Sequence, residues 1–140
     1  MLKAKKSTTS QRSRRKEATK HLARAKIQWD EACTHSWEPA EPADCVSKCF
    51  YSYENALVAV AVALGYQWTK KHYEKAALAA RLFKERHLKT DISGRLVELN
   101  ELRKDVSYGE PGEELKKMSL EDLVSDLESF LDEVESMISS

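Results

Sequence analysis

The chain has 140 residues, 41% apolar and 33% charged, with equal numbers of basic and acidic residues. This length suits a single domain, the composition is ordinary for a globular protein, and the balanced charge gives no overall indication of a nucleic-acid partner. The longest apolar run, residues 56–64, is less than half the roughly twenty residues that a membrane span needs. The sequence therefore predicts a core helix there and no membrane partner.

The cysteines are three in number, Cys33, Cys45 and Cys49. An odd count, together with a basic start that lacks the apolar segment of a secretory signal, predicts a reducing, cytoplasmic location. Cys45 and Cys49 are one helical turn apart and no second pair follows, which favours buried thiols over a zinc site. No metal and no cofactor are predicted.

The charges are distributed unevenly along the chain. Residues 1–26 carry ten Lys or Arg and one Glu, whereas residues 110–140 carry ten acids and two Lys. Ends of opposite sign can face each other within one protomer or across a dimer, or the basic end can contact an external polyanion. The sequence leaves these alternatives open.

The first part of the chain is polar and basic over residues 1–12, which predicts a disordered arm. A single helical-bundle domain is predicted over residues 13–140, and its first helix over 13–37. Six residues at spacings of three and four form the apolar stripe of this helix: Ala18, Leu22, Ala25, Trp29, Cys33 and Trp37.

The second helix is predicted over residues 43–65, after a turn marked by Pro39 and Pro42. Gly65 is its predicted C-cap. The alternation of Val and Ala within this helix resembles a strand pattern, but alanine is a good helix former and a poor strand former. We therefore predict a long, apolar helix.

Three further helices follow. The third begins near Thr69, the fourth runs from the Thr90–Asp91 cap to about Val106, and the fifth begins at Ser119. The inner stripe predicted for the third helix is Tyr73, Ala76, Ala77, Ala80, Phe83 and His87. Helices joined by short connections predict an all-α, antiparallel four- to five-helix bundle.

Two charged residues fall on apolar faces. On a helical wheel Arg103 lies in the centre of the stripe formed by Ile92, Leu96 and Leu99, and Glu54 lies on the apolar face of the second helix. Because an unpaired buried charge costs several kcal/mol, we expect Glu54 and Arg103 to approach each other, directly or across a small polar pocket. This pair is either a structural ion pair that sets helix register or part of a phosphate site.

The same residues resemble a known family. The run LeuArgLysAspValSerTyrGly (102–109) places four residues between Arg103 and Tyr108, and SerTyrGluAsnAlaLeuValAlaVal (52–60) is an apolar helix with a polar position at Glu54 or Asn55. Over about residues 15–138 the chain is similar to HEPN (higher eukaryotes and prokaryotes nucleotide-binding) domains, whose ribonucleases carry Arg, four to six residues, and then His. The resemblance implies a HEPN-like bundle and a homodimer that cleaves RNA without metal at a cleft between protomers. It also implies pairing with a nucleotidyltransferase or an antitoxin in a prokaryotic toxin–antitoxin or defence system.

The departure from the family pattern is Tyr108, which stands where the nuclease motif has His. Tyrosine has a reference pKa near 10 and is a poor base at neutral pH, but it can hydrogen-bond a phosphate or stack on a base. By this resemblance, Arg103, Tyr108 and Glu54 are the candidate catalytic residues. The candidate RNA- or phosphate-binding residues are Arg103, Lys104, Arg12, Arg14, Arg15 and Lys16. His21, His35, His72 and His87 are possible substitutes for the missing His, although each is more typical of a surface or satisfied core histidine.

Three functions remain open on this basis. The first is a non-catalytic or weakly ribonucleolytic HEPN-like module that engages RNA or a nucleotide phosphate. The second is an active, metal-independent HEPN ribonuclease toxin. The third is a protein–protein interaction bundle whose basic arm contacts nucleic acid, with Arg103 purely structural.

Overall fold

The computed structural model describes residues 2–35, 42–107 and 118–140. These residues form five helices and contain no strand, so the predicted all-α bundle is confirmed. The helices are α1 (Leu2–His35), α2 (Pro42–Leu64), α3 (His72–Lys84), α4 (Ser93–Ser107) and α5 (Leu120–Ser139). None of the helices in these three ranges is long and apolar enough to cross a bilayer.

The first helix begins at Leu2 and not near residue 13. Residues 2–12, expected to be a disordered arm, are therefore the first turns of α1. The physical reason is that this segment has neither Gly nor Pro, and seven of its eleven residues are Leu, Lys, Arg, Gln or Ala, which favour helix.

Helix α2 is the centre of the bundle and contacts each of the other four helices. It is the most apolar of the helices, as expected of a helix that neighbours surround, and most of its residues are buried. Its C-terminus is closed at Gly65, which has a φ of 79°. The Gly65 N–H donates to the Val62 carbonyl (3.2 Å) and the Tyr66 N–H to the Ala61 carbonyl (2.8 Å). This Schellman motif confirms the predicted C-cap.

Helix α1 packs antiparallel against α2. Lys48 pairs with Glu31 at 3.5 Å near the start of α2, and the buried Ser52 Oγ donates to the Ala25 carbonyl at 2.6 Å further along. Helix α5 also packs against α1, where the Trp29 indole N–H donates to the Val124 carbonyl at 3.0 Å.

The opposite charges of the two chain ends meet in part within the protomer. Lys26 of the basic end pairs with Glu135 of α5. A second acid of α5, Asp126, pairs instead with Arg95 of α4, outside the basic end, at 2.9 Å. These exposed pairs each contribute little to stability, but they account for part of the acidic charge of α5.

The predicted inner stripe of α3 is wrong at most positions. Tyr73 is 70% exposed and Phe83 is 41% exposed, whereas Ala76, Ala79 and Leu82 are buried. The helix is therefore rotated relative to the expectation, because its core-facing side is defined by α4 and α2 and not by its largest aromatic residues.

The caps of α4 and α5 follow the sequence. Oδ1 of Asp91 accepts hydrogen bonds from the backbone N–H (2.9 Å) and the hydroxyl (2.6 Å) of Ser93. The Ser119 hydroxyl accepts from the Asp122 N–H at 3.2 Å, which confirms the predicted start of the last helix. Six residues form the buried face of α5: Leu123, Leu127, Phe130, Leu131, Val134 and Ile138.

Candidate functional site

Arg103 lies in the second half of α4, half-buried against two aromatic rings of α2. Its guanidinium carbon is 5.3 Å from the centre of the Phe50 ring and 5.7 Å from that of Tyr51. One terminal nitrogen donates to Oδ1 of Asn100 at 2.9 Å. An arginine stacks favourably on aromatic rings while its edge stays available for hydrogen bonds. This stacking explains how Arg103 fits into an otherwise apolar stripe.

Glu54 is 3% exposed and is held by the first turn of α3. Its Oε2 lies 2.7 Å from Nδ1 of His72, and its Oε1 lies 3.4 Å from Nζ of Lys75. Of the two expected arrangements, a direct Glu54–Arg103 pair or an approach across a small polar pocket, the direct pair is wrong. The wheels placed both charges on inner faces correctly, but α3 supplies the partners of the Glu54 carboxylate, the His72 imidazole and the Lys75 ammonium group.

Phe50 contacts both His72, the partner of Glu54, and Arg103. Its ring centre lies 5.1 Å from that of His72, edge to face, and 5.3 Å from the Arg103 guanidinium carbon. Phe50 itself is completely buried. His72 and Arg103 therefore both contact the Phe50 ring.

The Glu54–His72 contact has a chemical consequence. A buried carboxylate on one imidazole nitrogen sets the orientation of the ring and leaves the other nitrogen, Nε2, for any further partner. The His72 side chain is 36% exposed. The sequence named His72 among four substitutes for the missing His but did not predict its pairing with Glu54. The local sequence gives no signal for this pairing, because it joins residues 18 positions apart on two different helices.

The connection between α2 and α3, residues 65–71, carries a partly exposed tryptophan. Trp68 is 37% exposed; its ring is 5.9 Å from that of His21, edge to face, and 5.9 Å from Nζ of Lys75. Burial lowers the pKa of His21 below its usual value, with smaller effects of Arg24 and Lys75 in the same direction and of Glu17 in the opposite one. Lys75 thus joins Trp68 to the Glu54 carboxylate.

The start of this connection is held by a surface cluster. The Tyr66 hydroxyl donates to Glu85, and Nε of Arg81 donates to the other oxygen of Glu85 at 2.9 Å. The guanidinium of Arg81 lies 4.8 Å from the Tyr66 ring centre, and the His87 ring packs on that ring edge to face. The hydrogen bond to Glu85 raises the pKa of Tyr66, and the two donors lower the pKa of Glu85.

The basic candidates on α1 are separated from the Phe50 region. Arg12, Arg15 and Lys16 are exposed, whereas the Arg14 guanidinium lies against Gly65, where a Cβ would come within 3.4 Å of its Cζ and Nε. A cation is favourable at that helix C-terminus.

Lys104 is exposed on α4, where its Nζ lies 3.7 Å from the Glu101 carboxylate, three residues earlier. Tyr108 lies outside the described residues.

The cysteines agree with the prediction of buried thiols. Cys45 and Cys49 are buried and Cys33 is half-buried, and all three are reduced. Within the described ranges, no group of three or more His, Cys, Asp or Glu side chains is placed to hold a metal ion.

The chain was compared with protein-family models, with curated proteins and with solved structures, and none of them matches it. By its fold and site, the protein is an all-α bundle in which an arginine stacks on aromatic rings and a buried carboxylate contacts a partly exposed imidazole.

Proposed function

We propose that this chain is a HEPN-like helical module that engages the phosphate of an RNA or a nucleotide at Arg103. The observation that supports this is the stacking of Arg103 on Phe50 and Tyr51, with its edge turned to Asn100. A guanidinium whose plane is held by aromatic rings is suited to forked recognition of phosphate. The spacing of Arg103 and Tyr108 is the sequence feature that relates this position to the family motif.

Binding is favoured over cleavage because position 108 is tyrosine. Its phenol does not deprotonate near neutral pH without a large pKa shift, but it can hydrogen-bond a phosphate or stack on a base. By the same resemblance, the proposed setting is a cytoplasmic homodimer that works with a nucleotidyltransferase or an antitoxin in a prokaryotic defence pair.

The test is fluorescence anisotropy with a labelled RNA pool and a labelled nucleoside triphosphate. We expect Arg103→Ala to weaken binding about tenfold, the loss of one charge-assisted contact. Arg103→Lys retains the charge without the planar fork and is expected to restore only part of the affinity. Lys84→Ala, an exposed change at the end of α3, is the matched control.

The same experiment distinguishes this proposal from a basic-arm interaction bundle. Unchanged binding in folded Arg103→Ala, with strong loss in a variant that carries Arg12→Gln, Arg15→Gln and Lys16→Gln, would overturn the Arg103 proposal. Binding would then depend on α1 and decline steeply with salt.

A second candidate function, metal-independent RNA cleavage, is favoured by the Glu54–His72 pair. An imidazole oriented by a buried carboxylate is a suitable general acid–base group near neutral pH. RNA cleavage in EDTA that is lost in Arg103→Ala and His72→Gln would support it. Loss in Tyr108→Phe as well would assign a direct role to the tyrosine, and absence of cleavage by the folded wild type would leave the binding module.

A further inference from the structure

We propose that residues 66–75 form a stacking platform for unpaired bases of single-stranded RNA, with Trp68 and Tyr73 contacting bases and Lys70 and Lys71 contacting phosphates. This inference rests on the proposed function and specifies its ligand. It concerns a surface outside the Arg–x4–Tyr motif.

The first observation is the exposure of two aromatic side chains close together in sequence. Tyr73 is 70% exposed and Trp68 is 37% exposed. Exposed large apolar side chains are few in the described ranges, and these two are separated by only four residues. Aromatic faces that reach solvent are the element on which sequence-tolerant single-strand binders stack bases.

The second observation is the charge between these aromatic residues. Lys70 and Lys71 are both exposed. Lys71 lies 3.8 Å from Glu74, but both partners face solvent, so the pair is weak and readily screened. Lys70 has no ion pair within the described ranges. Positive charge interleaved with exposed aromatics matches a polyanion whose bases are accessible.

The third observation is that the platform is held at both ends. Tyr66 is tied to Glu85 and Arg81 at one end, and His72 and Lys75 are tied to buried Glu54 at the other. A segment that is already positioned loses less conformational entropy when a ligand binds. The buried Glu54 cluster therefore positions the surface that we assign to RNA.

A single-stranded RNA fits this surface better than a duplex or an acidic protein. In A-form duplex the bases are stacked on each other and are not available to side chains, whereas unpaired bases stack on aromatic residues. An acidic peptide would satisfy Lys70 and Lys71 but would leave Trp68 and Tyr73 without a stacking partner.

The experiment measures anisotropy of a labelled 12-nucleotide RNA, alone and annealed to its complement, with poly-glutamate as a competitor that lacks bases. We expect tighter binding of the single strand and weak competition by poly-glutamate. Tyr73→Leu is expected to weaken binding roughly tenfold, the range of one base–aromatic stack. Phe83→Leu, which removes an exposed aromatic elsewhere on α3, is the matched control and is expected to have no effect.

The charge contribution is measured through salt dependence. Lys70→Gln is expected to reduce the slope of log K against log salt by about 0.7, the value for one phosphate contact to a single strand. Lys89→Gln, also exposed, is expected to leave the slope unchanged. Because Tyr73 and Lys70 are exposed, both variants are expected to fold, which circular dichroism verifies.

Several outcomes would overturn the platform. The first is equal affinity of the protein for duplex and single strand. The second is competition by poly-glutamate as strong as that by unlabelled single-stranded RNA. The third is an equal effect of Tyr73→Leu and Phe83→Leu on binding. Loss of binding in Arg103→Ala with no loss in Tyr73→Leu would overturn the platform while retaining the proposed phosphate site. Loss in Tyr73→Leu with none in Arg103→Ala would support the platform and overturn the Arg103 site.

Discussion

Oε2 of Glu54 lies 2.7 Å from Nδ1 of His72, so a carboxylate of the central helix is joined to the first residue of α3. The same carboxylate reaches Lys75 one turn later. This relationship connects stability and the proposed binding surface, because the buried contact fixes the segment that carries Trp68 and Tyr73.

Removal of the Glu54 carboxylate is expected to destabilise the fold. We expect Glu54→Ala to lower the free energy of unfolding by about 2–3 kcal/mol, because Lys75 keeps a largely buried charge without its partner. The loss is smaller than for a fully buried pair since His72 is partly exposed. Urea unfolding measures this loss of stability as a lower midpoint urea concentration with an unchanged m-value.

A double variant tests the same pair by replacement. Glu54→Leu with Lys75→Met removes both charges and leaves packed apolar side chains, so it is expected to recover much of the loss. An exposed control, Glu128→Ala, is expected to change stability by less than about 0.5 kcal/mol. A double variant no more stable than Glu54→Ala would contradict this account.

Substitution of Gly65 and of Gly94 by alanine is expected to change the stability of the protein in opposite directions. Gly65 has a φ of 79°, and a Cβ there would contact the Arg14 guanidinium, so Gly65→Ala is expected to cost about 1–2 kcal/mol. Gly94 lies in α4 and a Cβ there meets nothing within 4 Å, so Gly94→Ala is expected to stabilise by up to about 1 kcal/mol. Thermal unfolding of both variants measures the difference, and a shift of the same sign in both would refute it.

His21 is expected to make stability depend on pH. Its pKa is lowered, chiefly by burial, so the folded state disfavours the protonated ring. The contribution of His21 to stability is present above its unfolded pKa, near 6.5, and is lost as the pH falls through the lower folded value. We expect the Tm of the wild type to drop more between pH 7.5 and 5 than that of His21→Gln. Equal drops would show that His21 does not contribute.

The thiols are expected to differ in reactivity. Cys45 and Cys49 are buried, and the hydrogen bond to Cys45 together with burial raises the pKa of the Cys49 thiol. A thiol reagent acts on the accessible thiolate. In the native protein we therefore expect slow labelling of one thiol, Cys33. In urea we expect labelling of all three thiols. Native labelling that persists in Cys33→Ser would contradict this arrangement of α1 and α2.

Much of the local structure followed from the sequence. The C-cap at Gly65, the Ser119 start of α5 and the apolar stripe of α4 depend on residues within a few positions of each other. Backbone preferences and the helical period act over one or two turns, so a single segment contains the information.

Other features were decided only by the tertiary structure. A helical wheel showed that Glu54 and Arg103 lie on inner faces, but it contains no information about which helix covers each face. The positions of α3 and α4 around α2 assign His72 and Lys75 to Glu54, and Phe50 and Tyr51 to Arg103. The exposure of Tyr73 has the same origin, because the buried face of α3 depends on where its neighbours pack. Composition and period predicted the helices of this protein, and the packing between the helices determined which charges meet and which aromatic residues reach solvent.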